Sequence, residues 1–277
     1  MGGFPFQELI MKRSLLSEIE EMAESADEDQ LRVLERSLEG DPRIGVRRAL
    51  EKARRRLEAC NAEGDRLASL YDFALESAAR VAPDASLDRV LGLDEVGRGS
   101  LAGPLAVGAV ILDPSRPIEG LDDSKRLPAP ARERISARIE EHAVAWHVEY
   151  VDPGTIDRIG IMAALRQAFL GAIGAVEGAG HRIDAILLDG NPLGLDRREA
   201  NVVKGDSRCA PISAASIVAK VHRDALMTRL DEDLPGYGFA SNKGYGTESH
   251  RLSIRELGLS EAHRRSFCTE FLQDSLF

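Results

Sequence analysis

The sequence predicts an α/β fold: a mixed sheet flanked by helices, preceded by a small all-helical extension. Three observations predict it. The first ~88 residues show helical periodicity, many charges and no β-branched runs. From Arg89 onward, short apolar runs alternate with long helical segments. Three strand-like runs come early and later ones are separated by helices, which suits a mixed sheet with helices packed on it. A length of 277 residues holds one large domain and an appendage, which places the division at 1–88 and 89–277.

The extension comes first. From Leu31 to Leu57 the pattern is a helix, a turn at Gly40-Asp41-Pro42 and a second helix. Asp41 suits the N-cap of that second helix and Pro42 its first turn. Val46, Leu50, Ala53 and Leu57 form one narrow apolar stripe. Arg47, Arg48, Lys52, Arg54, Arg55 and Arg56 occupy the other side. Pro83-Asp84-Ala85-Ser86 reads as a linker.

The larger part follows. Val90–Leu93 is a short strand ending in Asp94-Glu95, and Leu105–Leu112 a second one stopped by Asp113-Pro114. Ala131–His142 is a helix, Ala143–Val151 a third strand, and Ile161–Val176 an apolar helix. Ala185–Leu188 is a buried strand ending in Asp189-Gly190-Asn191. Asn201–Val203 is a short strand ending in Lys204-Gly205-Asp206, and Ser213–Leu230 a long helix.

Composition bounds the function. With 43% hydrophobic and 30% charged residues, a wholly disordered chain is excluded. No run approaches the ~18–20 apolar residues of a membrane span, and no secretory signal pattern is read, so a cytoplasmic protein without membrane association is expected. Cys60, Cys209 and Cys268 are odd in number and far apart, which fits a reducing compartment and no disulfide framework. No histidine pairing has zinc spacing, and no G-x-S-x-G occurs. Ser216 and Lys220 are one residue too far apart for a Ser-x-x-Lys pair. The net charge of −10 argues against a nucleic-acid partner, but it is unevenly spread. Residues 1–41 carry 4 basic and 11 acidic residues, residues 42–56 carry 7 and 1. A local basic face can grip phosphates on an acidic chain.

The most informative feature is a coincidence. Three strands end in acids: Asp94 with Glu95, Asp189, and Asp206. Function gathers at the carboxyl ends of strands in open α/β sheets. Any one acid could be a helix cap or a solvated turn. Four converging carboxylates would need positive charge between them, and hard oxygen donors suit Mg²⁺ or Mn²⁺. A pair of such ions is the usual device for in-line phosphodiester hydrolysis.

Gly97-Arg98-Gly99, with Gly103, imitates a dinucleotide-binding loop. Its G-x-G-x-x-x-G spacing is wrong for that, and a strand rather than a helix follows. A tight backbone offering N–H groups to a nucleic-acid sugar is the better reading. Lys125, in the loop Asp123-Ser124-Lys125, can meet a phosphate or simply be solvated. Tyr237, Phe239 and Tyr245 lie in a Gly-rich stretch, where they either stack on bases or sugars or pack inside.

At these residues the chain resembles bacterial ribonuclease HII. The run Gly92-Leu93-Asp94-Glu95-Val96-Gly97-Arg98-Gly99-Ser100-Leu101-Ala102-Gly103-Pro104 is similar to its first motif. Asp122–Leu127, Leu188–Asn191, Val203–Ser207, Ala214–Asp224, Asn242–Thr247 and His263–Phe267 follow in the family's order. Ser100, where proline is frequent in relatives, is a minor departure.

The resemblance implies a ribonuclease H-like fold with a five-stranded mixed sheet. It implies endonucleolytic cleavage of RNA in RNA–DNA hybrids, including single ribonucleotides embedded in duplex DNA, leaving 5′-phosphate and 3′-hydroxyl ends. Asp94, Glu95, Asp189 and Asp206 would be the catalytic carboxylates, holding two Mn²⁺ or Mg²⁺ ions. Gly97, Arg98 and Gly99 would read the 2′-hydroxyl, Tyr245 would stack on the adjoining deoxyribose, and Lys125 would contact a phosphate. The extension resembles one that aids substrate binding, with Arg47, Arg48 and Arg55 on the hybrid's backbone. A monomer is expected. The rivals are another carboxylate-metal nuclease of the same broad fold and a hybrid-binding module without activity.

Overall fold

The computed structural model describes residues 14–273. The chain divides into two compact units, 1–66 and 67–277. The division falls inside a long helix, and the Pro83–Ser86 turn lies wholly within the second unit.

The first unit holds α1 (Leu16–Ser25), α2 (Glu28–Ser37) and the first part of α3 (Ile44–Ala78). Helix α2 starts on a capping box. The Asp27 carboxylate accepts from Gln30 N–H (2.8 Å), and the Gln30 side chain accepts from Asp27 N–H (3.0 Å). Helix α3 begins at Ile44, so Pro42 lies outside it. Asp41 is not its expected N-cap. Its carboxylate instead closes the preceding turn on Arg43, through the backbone N–H (2.9 Å) and the guanidinium (2.6 Å). The predicted stripe is the inner face: Val46 packs with Ile19 and Leu38, and Ala53 with Ala23, Leu31 and Leu34. Helix α3 also runs on well past the expected Leu57.

The second unit is built on a sheet of five strands, ordered β3-β2-β1-β4-β5. They are β1 (Val90–Val96), β2 (Leu105–Ile111), β3 (Ala145–Val151), β4 (Ala185–Asp189) and β5 (Glu199–Val202). The β1–β2 and β2–β3 pairs are antiparallel, and β1–β4 and β4–β5 are parallel. This is the expected mixed sheet. Helix α4 (Ala129–His142) precedes β3, while α5 (Pro153–Ile159) and α6 (Ile161–Gly178) link β3 to β4. Helix α7 (Ala210–Asp233) follows β5, then α8 (Phe239–Asn242), α9 (Glu248–Leu257) and α10 (Thr269–Gln273).

Both faces of the sheet are covered, which is why β2 is buried at every residue. Leu91 and Leu93 point to one side and pack with Leu165, Phe169 and Ile173 of α6. Val90, one residue out of phase, points to the other and packs with Ile212 of α7 and Ala74 and Ala78 of α3. Gly92 allows the closest approach: a Cβ there would stand 2.1 Å from the Pro211 carbonyl carbon. The start of α7 therefore lies directly on β1.

Helix α6 qualifies the expectation that nothing reaches membrane length, since its 18 residues are long and apolar enough by composition. Its Ala164, Leu165, Ala168, Phe169, Ala172, Ile173 and Val176 are buried against the sheet, so it is a core helix.

Candidate active site

The register of the parallel strands places the acids. Leu93 of β1 pairs with Leu188 of β4, so Asp94 and Asp189 follow side by side on neighbouring strands. Glu95 is next along β1, and Asp206 sits in the 3₁₀ turn Gly205–Ser207 beyond β5. That turn is tied to β4, because Gly205 N–H donates to Asp189 Oδ1 at 2.6 Å.

The carboxylates feel one another. Asp94 is buried, which pushes its pKa up to about 8. A hydrogen bond from Ser216 opposes the rise, and the charges of Glu95 and Asp189 add to it. Burial also raises Glu95, against the pull of Arg98 and with a push from Asp189. Asp189 is raised by burial and by Asp206, against the Gly205 N–H and Lys125. Two cations flank the group. Arg98 Nη1 lies 3.5 Å from Glu95, and Lys125 Nζ 3.3 Å from Asp206 Oδ2.

Among the described residues, no group of three or more His, Cys, Asp or Glu side chains stands ready to hold a metal ion. The donor chemistry nonetheless fits hard divalent cations. The donors are oxygens only, and neighbouring negative charges raise the proton affinity of Asp94, Glu95 and Asp189. A cation among them would relieve that repulsion.

The turn after β1 is held in place by residues that the sequence did not single out. Gly97 has φ +81°, and a Cβ there would stand 2.2 Å from Arg223 Nε. Leu101 N–H and Ala102 N–H both donate to the Gly244 carbonyl, at 2.8 and 3.2 Å. The Leu101–Ala102 segment, just beyond the Gly97–Gly99 turn, is thus hydrogen-bonded to the Tyr245 loop. Tyr245 is half-buried, with the Arg223 guanidinium 5.6 Å from its ring centre. Tyr237 and Phe239 are interior instead, stacked on each other at 5.3 Å among the buried residues around Met227 and Ile254. Ser216 is neither nucleophile nor idle. Its hydroxyl favours the charged form of Asp94 and bonds to Ser124 Oγ (2.9 Å), next to Lys125.

In the first unit, Arg47, Arg48 and Arg55 are exposed on α3, and Arg48 lines a groove with Glu20 and Glu24. Their neighbours turn inward to acids and carbonyls. Arg54 pairs with Glu35 (2.5 Å), Lys52 with Glu24 (3.3 Å), and Arg56 donates to the Ala26 carbonyl.

The profile described as Ribonuclease HII matches residues 91–270, well over half of the chain. The chain belongs to the ribonuclease HII family. The profile described as Ribonuclease HII N-terminal domain matches residues 16–76, which cover α1, α2 and nearly all of α3. Ribonuclease HII of Laribacter hongkongensis is 50% identical over 182 residues, 65% of this chain and 90% of that protein. Ribonuclease HII of Koribacter versatilis is 45% identical over 188 residues, 68% of this chain and 73% of its own. Among solved structures, ribonuclease H2 from Pyrococcus horikoshii OT3 superposes with a TM-score of 0.56 at 24% identity, over 67% of this chain and 97% of that one. Bst-RNase HIII in complex with Mn²⁺ gives 0.52 at 21%, over 72% of this chain and 74% of its own. These two show the shared ribonuclease H-like fold. As a ribonuclease HII, the protein is a divalent-metal-dependent RNase H endonuclease acting on RNA–DNA hybrids.

Proposed function

We propose that the enzyme hydrolyses the RNA strand of RNA–DNA hybrids, including single ribonucleotides embedded in duplex DNA, leaving 5′-phosphate and 3′-hydroxyl ends. The observation that carries the reading is the coupling of four carboxylates at strand ends beside a glycine turn whose following segment is hydrogen-bonded to a tyrosine loop.

Asp94, Glu95, Asp189 and Asp206 would hold two Mg²⁺ or Mn²⁺ ions. When bound there, such ions activate the attacking water and neutralise charge on the scissile phosphate. The protein's own groups do the rest. Ser216 orients Asp94, and the Gly205 N–H fixes one oxygen of Asp189, leaving the other for a ligand. Lys125 brings a positive charge for a phosphate of the hybrid.

The Gly97–Gly99 backbone approaches the sugar edge closely and hydrogen-bonds the 2′-hydroxyl, the group that separates RNA from DNA. Tyr245 stacks on the adjoining deoxyribose. Arg47, Arg48 and Arg55 add salt-dependent, sequence-independent grip on the hybrid. The protein acts as a monomer in this reading.

Cleavage mapping on a duplex with one ribonucleotide, with Mg²⁺ and with Mn²⁺, tests this. A single nick beside that nucleotide is expected. Cuts spread through the flanking DNA, or none with either ion, would refute it.

A further inference from the structure

Two guanidinium groups of the second unit are wholly buried: Arg223 in α7 and Arg264 in the C-terminal segment. Neither makes an ion pair among the described residues. Their hydrogen-bond acceptors are carbonyls and one hydroxyl, and each also lies over an aromatic ring, Tyr245 for Arg223 and Phe267 for Arg264. Arg223 donates to the carbonyls of Pro104 (2.9 Å), Ala102 (3.2 Å) and Lys243 (2.9 Å) and to Ser100 Oγ (3.0 Å). Arg264 donates to the carbonyls of Gly103 and Arg98, both at 3.0 Å.

Burying a cation against neutral dipoles costs free energy, and burial lowers the pKa of both groups. What the arrangement supplies is geometry. A planar guanidinium with five donors fixes several acceptors at set angles, which an ammonium cannot do. The acceptors of Arg223 lie on both segments that face the sugar: three on the turn after β1, and one on the residue two before Tyr245.

Arg223 is also in register with the acids. It follows Ser216 by seven residues, two turns along the same face of α7, a spacing of about 10 Å. The Ser216 hydroxyl favours the charged form of Asp94. One helix face thus holds both the first carboxylate and the two loops.

We infer that Arg223 is a specificity-determining positioning residue: it sets the spacing between the Gly97–Gly99 turn and Tyr245, and, through α7, their distance from the acids. It does so without touching substrate. The inference rests on the reading of those two segments as sugar contacts. Its consequence differs between substrates. A continuous hybrid offers a 2′-hydroxyl at every step, so a displaced turn still finds a register that can be cut. A lone ribonucleotide offers one register only.

The test compares kcat and KM of the full-length enzyme on a one-ribonucleotide duplex and on a continuous hybrid. Arg223→Lys keeps the charge and loses the fan of donors. The ratio of kcat/KM between the two substrates should fall at least about tenfold, with kcat on the continuous hybrid kept within about threefold. Equal losses on both substrates, or an unchanged ratio, would overturn the inference.

If Arg223→Lys fails to fold by circular dichroism, Ser100→Ala removes a single acceptor and should lower the ratio about threefold. No change there would overturn it equally. Tyr245→Ala separates the inference from the reading beneath it. An unchanged ratio in Tyr245→Ala ends the sugar-contact reading and the inference together. A lowered ratio in Tyr245→Ala with none in Arg223→Lys ends the inference alone.

Discussion

The ammonium of Lys125 lies 3.3 Å from Asp206 Oδ2, while its own side chain is mostly exposed. Burial works against the charge on Lys125, but Asp206, Asp123 and Asp94 outweigh it and raise its pKa. The lysine therefore stays charged and competes with any other cation for the carboxylates. Lys125→Gln should lower the divalent-ion concentration for half-maximal binding by roughly two- to fivefold, as removal of a nearby screened charge would. It should also raise KM for the hybrid. Calorimetric titration with Mn²⁺ and steady-state kinetics check the two effects. Weaker ion binding in the variant would contradict the competition.

Asp94 occupies the most enclosed position of the four acids, with Glu95 and Asp189 adding their charges to it. Replacement by asparagine keeps the shape and removes the charge. Asp94→Asn should abolish cleavage while leaving hybrid affinity within about threefold, since grip comes from backbone contacts elsewhere. It should also shrink the rise in melting temperature that Mg²⁺ or Mn²⁺ gives the wild type, because a weaker site contributes less stabilisation by mass action. Binding by fluorescence anisotropy and melting curves at fixed ion concentration decide it. A folded variant that still cuts would remove Asp94 from the chemistry.

The acids were legible because they stand where strands end, and apolar runs that stop at Asp are visible in a sequence. The sheet was legible for the same reason. What supports the acids was not. Ser216 lies in a run buried from Ala210 to Ala219, where a small polar residue carries no signal of what it faces. Arg223 had one available sign, a charge two turns from Ser216 on one helix face, but three of its four acceptors are backbone carbonyls, two of them 119 and 121 positions away. Backbone acceptors leave no trace in residue type. Boundaries failed by the same logic. The second part of α3 continues because Leu67, Leu70 and Tyr71 find a core with Val110, Leu112 and Ile118, which local periodicity cannot reveal.

His250 and His263 form a relay with only one consistent set of protons. Ser260 N–H donates to His263 Nδ1 (3.0 Å), so the proton of His263 is on Nε2 and points at His250 Nε2 (3.2 Å). His250 then carries its proton on Nδ1 and donates to the Tyr245 carbonyl (2.9 Å). Both rings are neutral. Burial lowers both pKa values, and that of His263 falls to about 4 with the help of His250. The folded pKa lies below the unfolded value of ~6.5, so the unfolded chain binds more protons between them. This contribution is complete above about pH 6.5 and is lost as pH falls toward 4. It amounts to about 3 kcal/mol at most. His263→Gln should flatten the dependence of melting temperature on pH across that window. An equally steep slope in the variant would mean that the ring is not held neutral.

The basic helix sorts into two classes of arginine, and the two should fail differently. Arg47, Arg48 and Arg55 are exposed and form no ion pair among the described residues. Arg54 is engaged with Glu35 at 2.5 Å, so a phosphate would have to displace a carboxylate to reach it. Each phosphate contact on a duplex contributes about 0.9 to the slope of log affinity against log salt. The triple change of Arg47, Arg48 and Arg55 to alanine should therefore reduce that slope by up to roughly 2.7, with kcat on saturating hybrid unchanged. Arg54→Ala should leave the slope within about 0.3 of wild type. Anisotropy titrations of a continuous hybrid over a series of salt concentrations give both values. A triple variant with the wild-type slope would show that these arginines are solvated and that the hybrid's backbone is gripped elsewhere.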